Sequence, residues 1–138
     1  MTEADTLLGS IAQAQRRKFL QTNRFATAYT GLDVSPKGAS GNTYYTKGAT
    51  GNGFTVTLSA ANAFTTGIAT ATRSAGSSAL QYQYNLSRYY QSDNVTCSAT
   101  AGSAGAELCA DFCGIDTLAT AACCNNGSST ACAAPTNN

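Results

Sequence analysis

The sequence predicts an α+β fold: a long N-terminal α-helix packed on a three- to four-stranded antiparallel β-sheet, followed by a disulfide-rich C-terminal region. Three observations lead there. Residues 2–23 carry helical periodicity, residues 54–98 hold short segments of alternating character, and all six cysteines lie in the last third of the 138 residues. The length suits a single domain over residues 1–138. Its parts read as a helical spine (2–23), a loop region (24–53), a sheet (54–98) and a cysteine-rich end (99–138).

The spine is TEADTLLGSIAQAQRRKFLQTN, Thr2 to Asn23, which has no proline and one glycine, Gly9. Ala4, Leu7, Leu8, Ile11, Ala14 or Gln15, Phe19 and Leu20 recur at helical spacing and form one apolar stripe. Thr2 with Asp5 three residues on reads as a capping box with a carboxylate in the first turn. Arg16, Arg17 and Lys18 fall in the C-terminal half, where positive charge suits the helix dipole.

In the loop region, Phe25, Tyr29 and Leu32 are spaced for a short helical turn. Ser35-Pro36-Lys37-Gly38 then breaks the chain, and residues 38–53 hold five glycines around Tyr44-Tyr45. They read as an irregular loop with room for one short strand. Gly48, Gly51 and Gly53 lack the spacing of a phosphate loop and read as a flexible turn.

The sheet follows. Phe54, Val56 and Leu58 alternate with Thr55, Thr57 and Ser59, a half-buried strand. Ile68–Arg73 is a weaker candidate built from Ala and Thr. Leu80, Tyr82, Tyr84 and Leu86 alternate with polar residues in the clearest strand of the chain. A fourth short strand runs from Asn94 to Ser98. The short, turn-rich links favour antiparallel pairing. Tyr82 and Tyr84 are expected in the core, and Tyr44, Tyr45, Tyr89 and Tyr90 in loops that cover sheet edges.

From Ala99 onward large apolar groups are scarce, so the end needs staples. Cys97, Cys109, Cys113, Cys123, Cys124 and Cys132 read as a disulfide framework made in an oxidising compartment. The rival is zinc on Cys109, Cys113, Cys123 and Cys124. The absence of histidine and of paired Cys-x2-Cys knuckles disfavours it.

Charged residues are 11% and the formal net charge is +1, so no field recruits nucleic acid or an anionic membrane. No apolar run approaches a membrane span, and no signal peptide opens the chain. Disulfides nonetheless need export. Met1 ahead of a polar helix start therefore reads as a domain whose native N-terminus, with its targeting information, has been removed. Without histidine there is no general acid/base or Ser/His pair, and a cysteine nucleophile lacks its usual base. The chain is expected not to be an enzyme and to use no cofactor or metal. Glu107, Asp111 and Asp116 cluster, but without EF-hand spacing they read as solubilising groups rather than calcium ligands. Arg16-Arg17-Lys18 reads first as a solvated helix face and, functionally, as an ion-pairing patch for a neighbouring subunit. Asn85, Asn94 and Asn126 open glycosylation sequons that chance explains in so Asn- and Ser-rich a chain.

The order of these pieces resembles the type IV pilin and pseudopilin family just beyond its membrane segment. The likeness spans residues 3 to about 98. It rests on the helix LLGSIAQAQRRKFLQTNRFAT with Phe19, Arg24, Phe25 and Ala26, and on the turn closing at Gly31-Leu32. Next come Tyr44-Tyr45, the strands FTVTL, IATATR and LQYQYNL, and Val95 with Cys97 opening a disulfide region. The family's hydrophobic N-terminal half-helix is absent, and six cysteines stand where two are common. Pairing stays open among fifteen connectivities, with adjacent Cys123 and Cys124 expected to pair elsewhere.

The resemblance implies a structural subunit of a filament serving adhesion, motility, DNA uptake or secretion. It would be anchored in the inner membrane by the missing segment before assembly, and end on the cell surface, in an extracellular filament or in a periplasmic pseudopilus. Implied partners are other pilins and the inner-membrane assembly machinery. Leu7, Leu8, Ile11, Arg16 and Arg17 are the candidate filament contacts, the three apolar residues divided between sheet and neighbours. The rival reading is a secreted, disulfide-stapled binding module presenting tyrosine-rich loops.

Overall fold

The computed structural model of the chain describes residues 2–28, 31–34, 43–45, 54–59, 67–73, 83–118 and 121–136. In order it runs α1 (Thr2–Thr22), β1 (Thr43–Tyr45), β2 (Phe54–Leu58), β3 (Ile68–Arg73), β4 (Tyr84–Tyr89), β5 (Val95–Ser98), α2 (Ala104–Cys113) and β6 (Ala122–Cys124). The strands form one sheet in the order β1 to β6, each antiparallel to the next. The α+β class and the helix-on-sheet plan are as expected.

Three details differ from expectation. Among the described residues the sheet has six strands rather than three or four. β1, at Thr43–Tyr45, falls where the loop region has room for one short strand, and β6 is the addition; both have three residues, too few to show alternation, and are specified by the ladder of the neighbouring strand. The clearest strand lies later than its pattern, at Tyr84–Tyr89, with Leu80 and Tyr82 outside the described residues. Tyr89 therefore belongs to a strand, and Tyr90 is fully buried rather than set in a covering loop. Finally, the cysteine-rich end holds a ten-residue helix, α2. Its N-cap is Ser103, whose hydroxyl accepts from the Ala106 N–H, and Gly114 ends it with a left-handed φ of 71°, a conformation glycine adopts without penalty.

One row of side chains shows how the core is built. Val56, Ala71, Leu86, Cys97 and Cys123 are register neighbours across β2 to β6, and each is 0% exposed. Both helices cover this face. α1 packs on β3 and β4, α2 on β5 and β6. Ala69 and Ala71, both buried, are small and let α1 approach β3 closely. Gly9 has the matching reason: a Cβ there would lie 3.0 Å from an Arg88 guanidinium nitrogen, so the helix glycine makes room for the arginine of β4. The opposite face is polar. Thr57, Thr70, Ser87 and Thr96 form its central row, with the Thr70 and Ser87 hydroxyls 2.9 Å apart.

On α1 the buried stripe is Ala4, Leu7, Leu8, Ile11, Ala12, Ala14 and Gln15. Both alternatives at positions 14 and 15 are buried, and Gln15 is accommodated because its amide is fully used. Its Nε2 donates to the Ala26 carbonyl and its Oε1 accepts from the Ala26 N–H, each at 2.8 Å. This pins the chain leaving α1 back onto the helix. Asn23, at φ 58°, makes the reversal, donating its N–H to the Phe19 carbonyl. Phe25 then stacks between Phe19 and Tyr90, 4.7 Å from each ring. The capping box at Thr2 falls on a side chain outside those described, as do Tyr29, Tyr44, Tyr45 and the glycine turn at 48–53.

Candidate functional site

The five candidate contact residues of α1 separate by chemistry. Leu7, Leu8 and Ile11 all lie within the domain's own core. The division between sheet and neighbours therefore falls wholly on the sheet side in this chain. Each contributes roughly 2 kcal/mol by burial, which holds the helix to the sheet. The outward face of the helix carries Thr6, Gln13, Arg17, Leu20 and Gln21 instead.

The basic run is partly used within the molecule. Arg17 and Asp33 form a two-pronged ion pair, Nε to Oδ2 and Nη2 to Oδ1, both 2.8 Å. Their hydrogen bonding holds the Asp33 carboxyl below its ordinary value and raises the guanidinium. Arg16 donates from Nε to the Tyr90 carbonyl and lies 3.6 Å from Asp93. Arg88 reaches the same carboxylate at 3.0 Å and donates to the Ser92 carbonyl. These bonds close the turn after β4 against α1. Lys18 has no ion pair among the described residues.

All six cysteines are paired: Cys97–Cys109, Cys113–Cys123 and Cys124–Cys132. The geometry follows from two spacings. Cys109 and Cys113 are one turn apart on α2 and share a face. Cys97 and Cys123 are direct cross-strand neighbours on β5 and β6. Two bridges side by side therefore staple α2 to the sheet. Cys124, one residue on, points to the other face of the sheet and holds the tail through Cys132, whose N–H also donates to the Thr96 hydroxyl at 2.9 Å. Adjacent cysteines serve opposite faces because side chains of a strand alternate. Three disulfides place the folded chain in an oxidising environment, extracellular or periplasmic. Among the described residues no helix is long and apolar enough to cross a membrane.

Two concave surfaces belong to the C-terminal half. A cleft of about 510 Å³ lies at the start of β4, lined by Thr72, Arg73, Gln83, Asn85 and Ser98 among others. The buried Arg73 Nε there has no hydrogen-bond partner among the described residues. A groove of about 250 Å³ runs along α2, with Ala106, Ala110 and Leu118 as its floor and Glu107 and Asp116 beside them. Glu107, Asp111 and Asp116 do not converge, since no cluster of metal-ligating side chains occurs among the described residues. The Cys109-x3-Cys113 spacing and the Ser103 and Gly114 flanks were the sequence signals for α2 and its groove.

The fold and these surfaces define a class: a disulfide-stapled α+β domain with a helical spine on an antiparallel meander. No family model, curated protein or solved structure matches the chain.

Proposed function

We propose that the chain is the globular part of a structural subunit of a filament of the type IV pilin kind, and that it is not an enzyme. The observation that carries this reading is the architecture of the spine. A 21-residue helix lays one stripe on an antiparallel sheet, keeps a polar face outward, and is joined to a C-terminal region closed by disulfides. That is the arrangement the resemblance of residues 3–98 implies. Assembly is then the mechanism. In the native protein an apolar segment ahead of α1 supplies the helix–helix contacts, since Leu7, Leu8 and Ile11 are spent on the domain's own sheet. Arg17, on the outward face, stays available to a neighbour although it already pairs with Asp33. The polar Thr/Ser face of the sheet and the stapled tail form the outer surface.

The test is expression of the gene with its native upstream sequence in a host with a pilus assembly machinery. Filaments that label along their length with antibody to this domain support the reading. A cleaved secretion signal directly ahead of α1, with a freely secreted monomer, overturns it in favour of a binding module.

A further inference from the structure

Arg73 is unlike the other arginines. Arg16, Arg17 and Arg88 are held by carboxylates or backbone carbonyls, and Arg24 is exposed to water. Arg73, the last residue of β3, is half-buried. Its Nε is shut off from solvent with no hydrogen-bond partner among the described residues, and no ion pair among them reaches it. A charged donor withdrawn from water without an acceptor is costly, and such a group calls for an explanation. With Nε enclosed, the terminal nitrogens of the guanidinium are the donors that stay accessible.

Arg73 lines the cleft of about 510 Å³ that lies where β3 ends, β4 begins and β5 ends. Thr72, Asn85 and Ser98 are register neighbours across these strands, so their side chains stand side by side on the polar face of the sheet. Gln83 stands just ahead of β4 and lines the same cleft. None of these four side chains makes a hydrogen bond among the described residues. The next row of the polar face differs: Thr70 and Ser87 share a hydrogen bond, and the Thr96 hydroxyl accepts from the Cys132 N–H. The backbone under the cleft is fixed by strand pairing and by Gly105 of α2, which packs against the Gln83 carbonyl with no room for a Cβ. No Asp or Glu lines the cleft. Between Asp33 and Glu107 the chain has one acid, Asp93, and Arg16 and Arg88 hold it past the other end of β4. The cleft therefore offers one positive charge beside a set of neutral hydroxyl and amide groups.

We propose that this cleft binds an acidic sugar, a polyhydroxylated ligand bearing a single carboxylate. Its volume is that of a small-ligand site. The two terminal nitrogens of Arg73 can give parallel N–H bonds to the two carboxylate oxygens. Thr72, Gln83, Asn85 and Ser98 supply both donors and acceptors, as sugar hydroxyls require. One arginine balances one carboxylate, whereas a phosphate monoester carries nearly twice that charge. The inference goes beyond the filament reading and does not rest on it, since the cleft is complete within the isolated domain.

Nitrogen–proton correlation NMR of the 138-residue chain, titrated with glucuronate, tests it. Saturable shifts are expected at the amides of Arg73, Gln83, Asn85 and Ser98, with a dissociation constant on the order of 1 mM. Glucose, which lacks the charge, and acetate, which lacks the ring, should each bind roughly tenfold or more weakly. Arg73→Gln should weaken glucuronate binding by roughly tenfold or more, with circular dichroism matching the parent because the guanidinium holds no partner in the fold. Asn85→Ala, at an exposed position, should weaken glucuronate binding about threefold and leave that of acetate as it was. The Asn85 variant carries the test if Arg73→Gln does not fold. The proposal is overturned by an absence of saturable shifts, by shifts confined to residues away from the cleft, or by a folded variant that binds glucuronate like the parent. Glucose, acetate or inorganic phosphate binding as tightly as glucuronate also overturns it, the last two as an adventitious ion only. Each of these failures leaves the filament reading standing.

Discussion

At the residue scale, Gln15 is the most consequential polar group. Its amide satisfies both backbone groups of Ala26 in a buried site, and leaving such a group unpaired costs about 1–3 kcal/mol. Gln15→Leu should lower stability by roughly 2–4 kcal/mol, read as a reduced urea midpoint with an unchanged slope. Gly67 is a second such point. A Cβ there would lie 2.5 Å from a Tyr90 ring carbon and 2.8 Å from one of Phe25, so Gly67→Ala must push apart the aromatic stack and is expected to cost about 1–3 kcal/mol. Two titrations have opposite signs. Asp33 titrates below its ordinary 3.8 because of the Arg17 hydrogen bond. The stabilisation from that pair is therefore present above about pH 4 and lost as pH falls through the lowered value. Asp33→Asn should unfold more readily than the parent at pH 6, with the difference shrinking as pH falls through the lowered value, as thermal scans would show. Burial pushes the Tyr90 phenol up from 10.0, so its contribution is full below pH 10 and is lost as pH rises through the raised value. Tyr90→Phe should raise the midpoint of alkaline unfolding.

At the element scale, α2 depends on its staples. Its buried face is Gly105, Ala106, Cys109, Ala110 and Cys113, small residues around the sulfurs, with half-buried Leu108 and Phe112 packed at its sides. The bridges Cys97–Cys109 and Cys113–Cys123 close loops of 12 and 10 residues, each worth roughly 2.5–3 kcal/mol by restricting the unfolded chain. Replacing Cys113 and Cys123 together by Ala should loosen α2 and β6, seen as faster amide exchange over 104–124. The exchange of α1 and of β2 to β4 should change little, because their burial rests on Leu7, Leu8, Ile11, Val56 and Leu86. Replacing Cys124 and Cys132 should free only the tail on the polar face.

At the scale of the whole molecule, the isolated chain is expected to be monomeric at micromolar concentration. The apolar stripe of α1 is occupied by the sheet, and the exposed Leu20 alone does not offset the several kcal/mol lost on association. Light scattering should report a mass near 14.1 kDa; a tight micromolar dimer would contradict it. Charge reversal at Arg17 in a filament-forming full-length protein separates its two partners. If only Asp33 matters, Arg17→Glu with Asp33→Arg restores assembly; if a neighbour matters, it does not.

The sequence by itself determined the parts whose signal is local. Helical period marks α1 from Ala4 to Leu20, and alternation over Phe54–Leu58 and Ile68–Arg73 coincides with β2 and β3. Six cysteines in a weakly apolar end were enough to require oxidation. Only the tertiary structure decided the rest, because it depends on partners far apart in the chain. The pairing of Cys97 with Cys109 and of Cys113 with Cys123 follows from the β5–β6 register, which no local pattern encodes. β6 is Ala-Cys-Cys, too short to show alternation, whereas α2 sets Leu108, Cys109, Phe112 and Cys113 at helical spacing beside Glu107 and Asp111, a pattern of only ten residues. Leu7, Leu8 and Ile11 stand on one stripe in the sequence whichever surface they meet. Leu20 stands off that stripe, on the helix face of Thr6, Gln13 and Arg17, and is 85% exposed; that the stripe itself meets the chain's own sheet is what the tertiary structure decided.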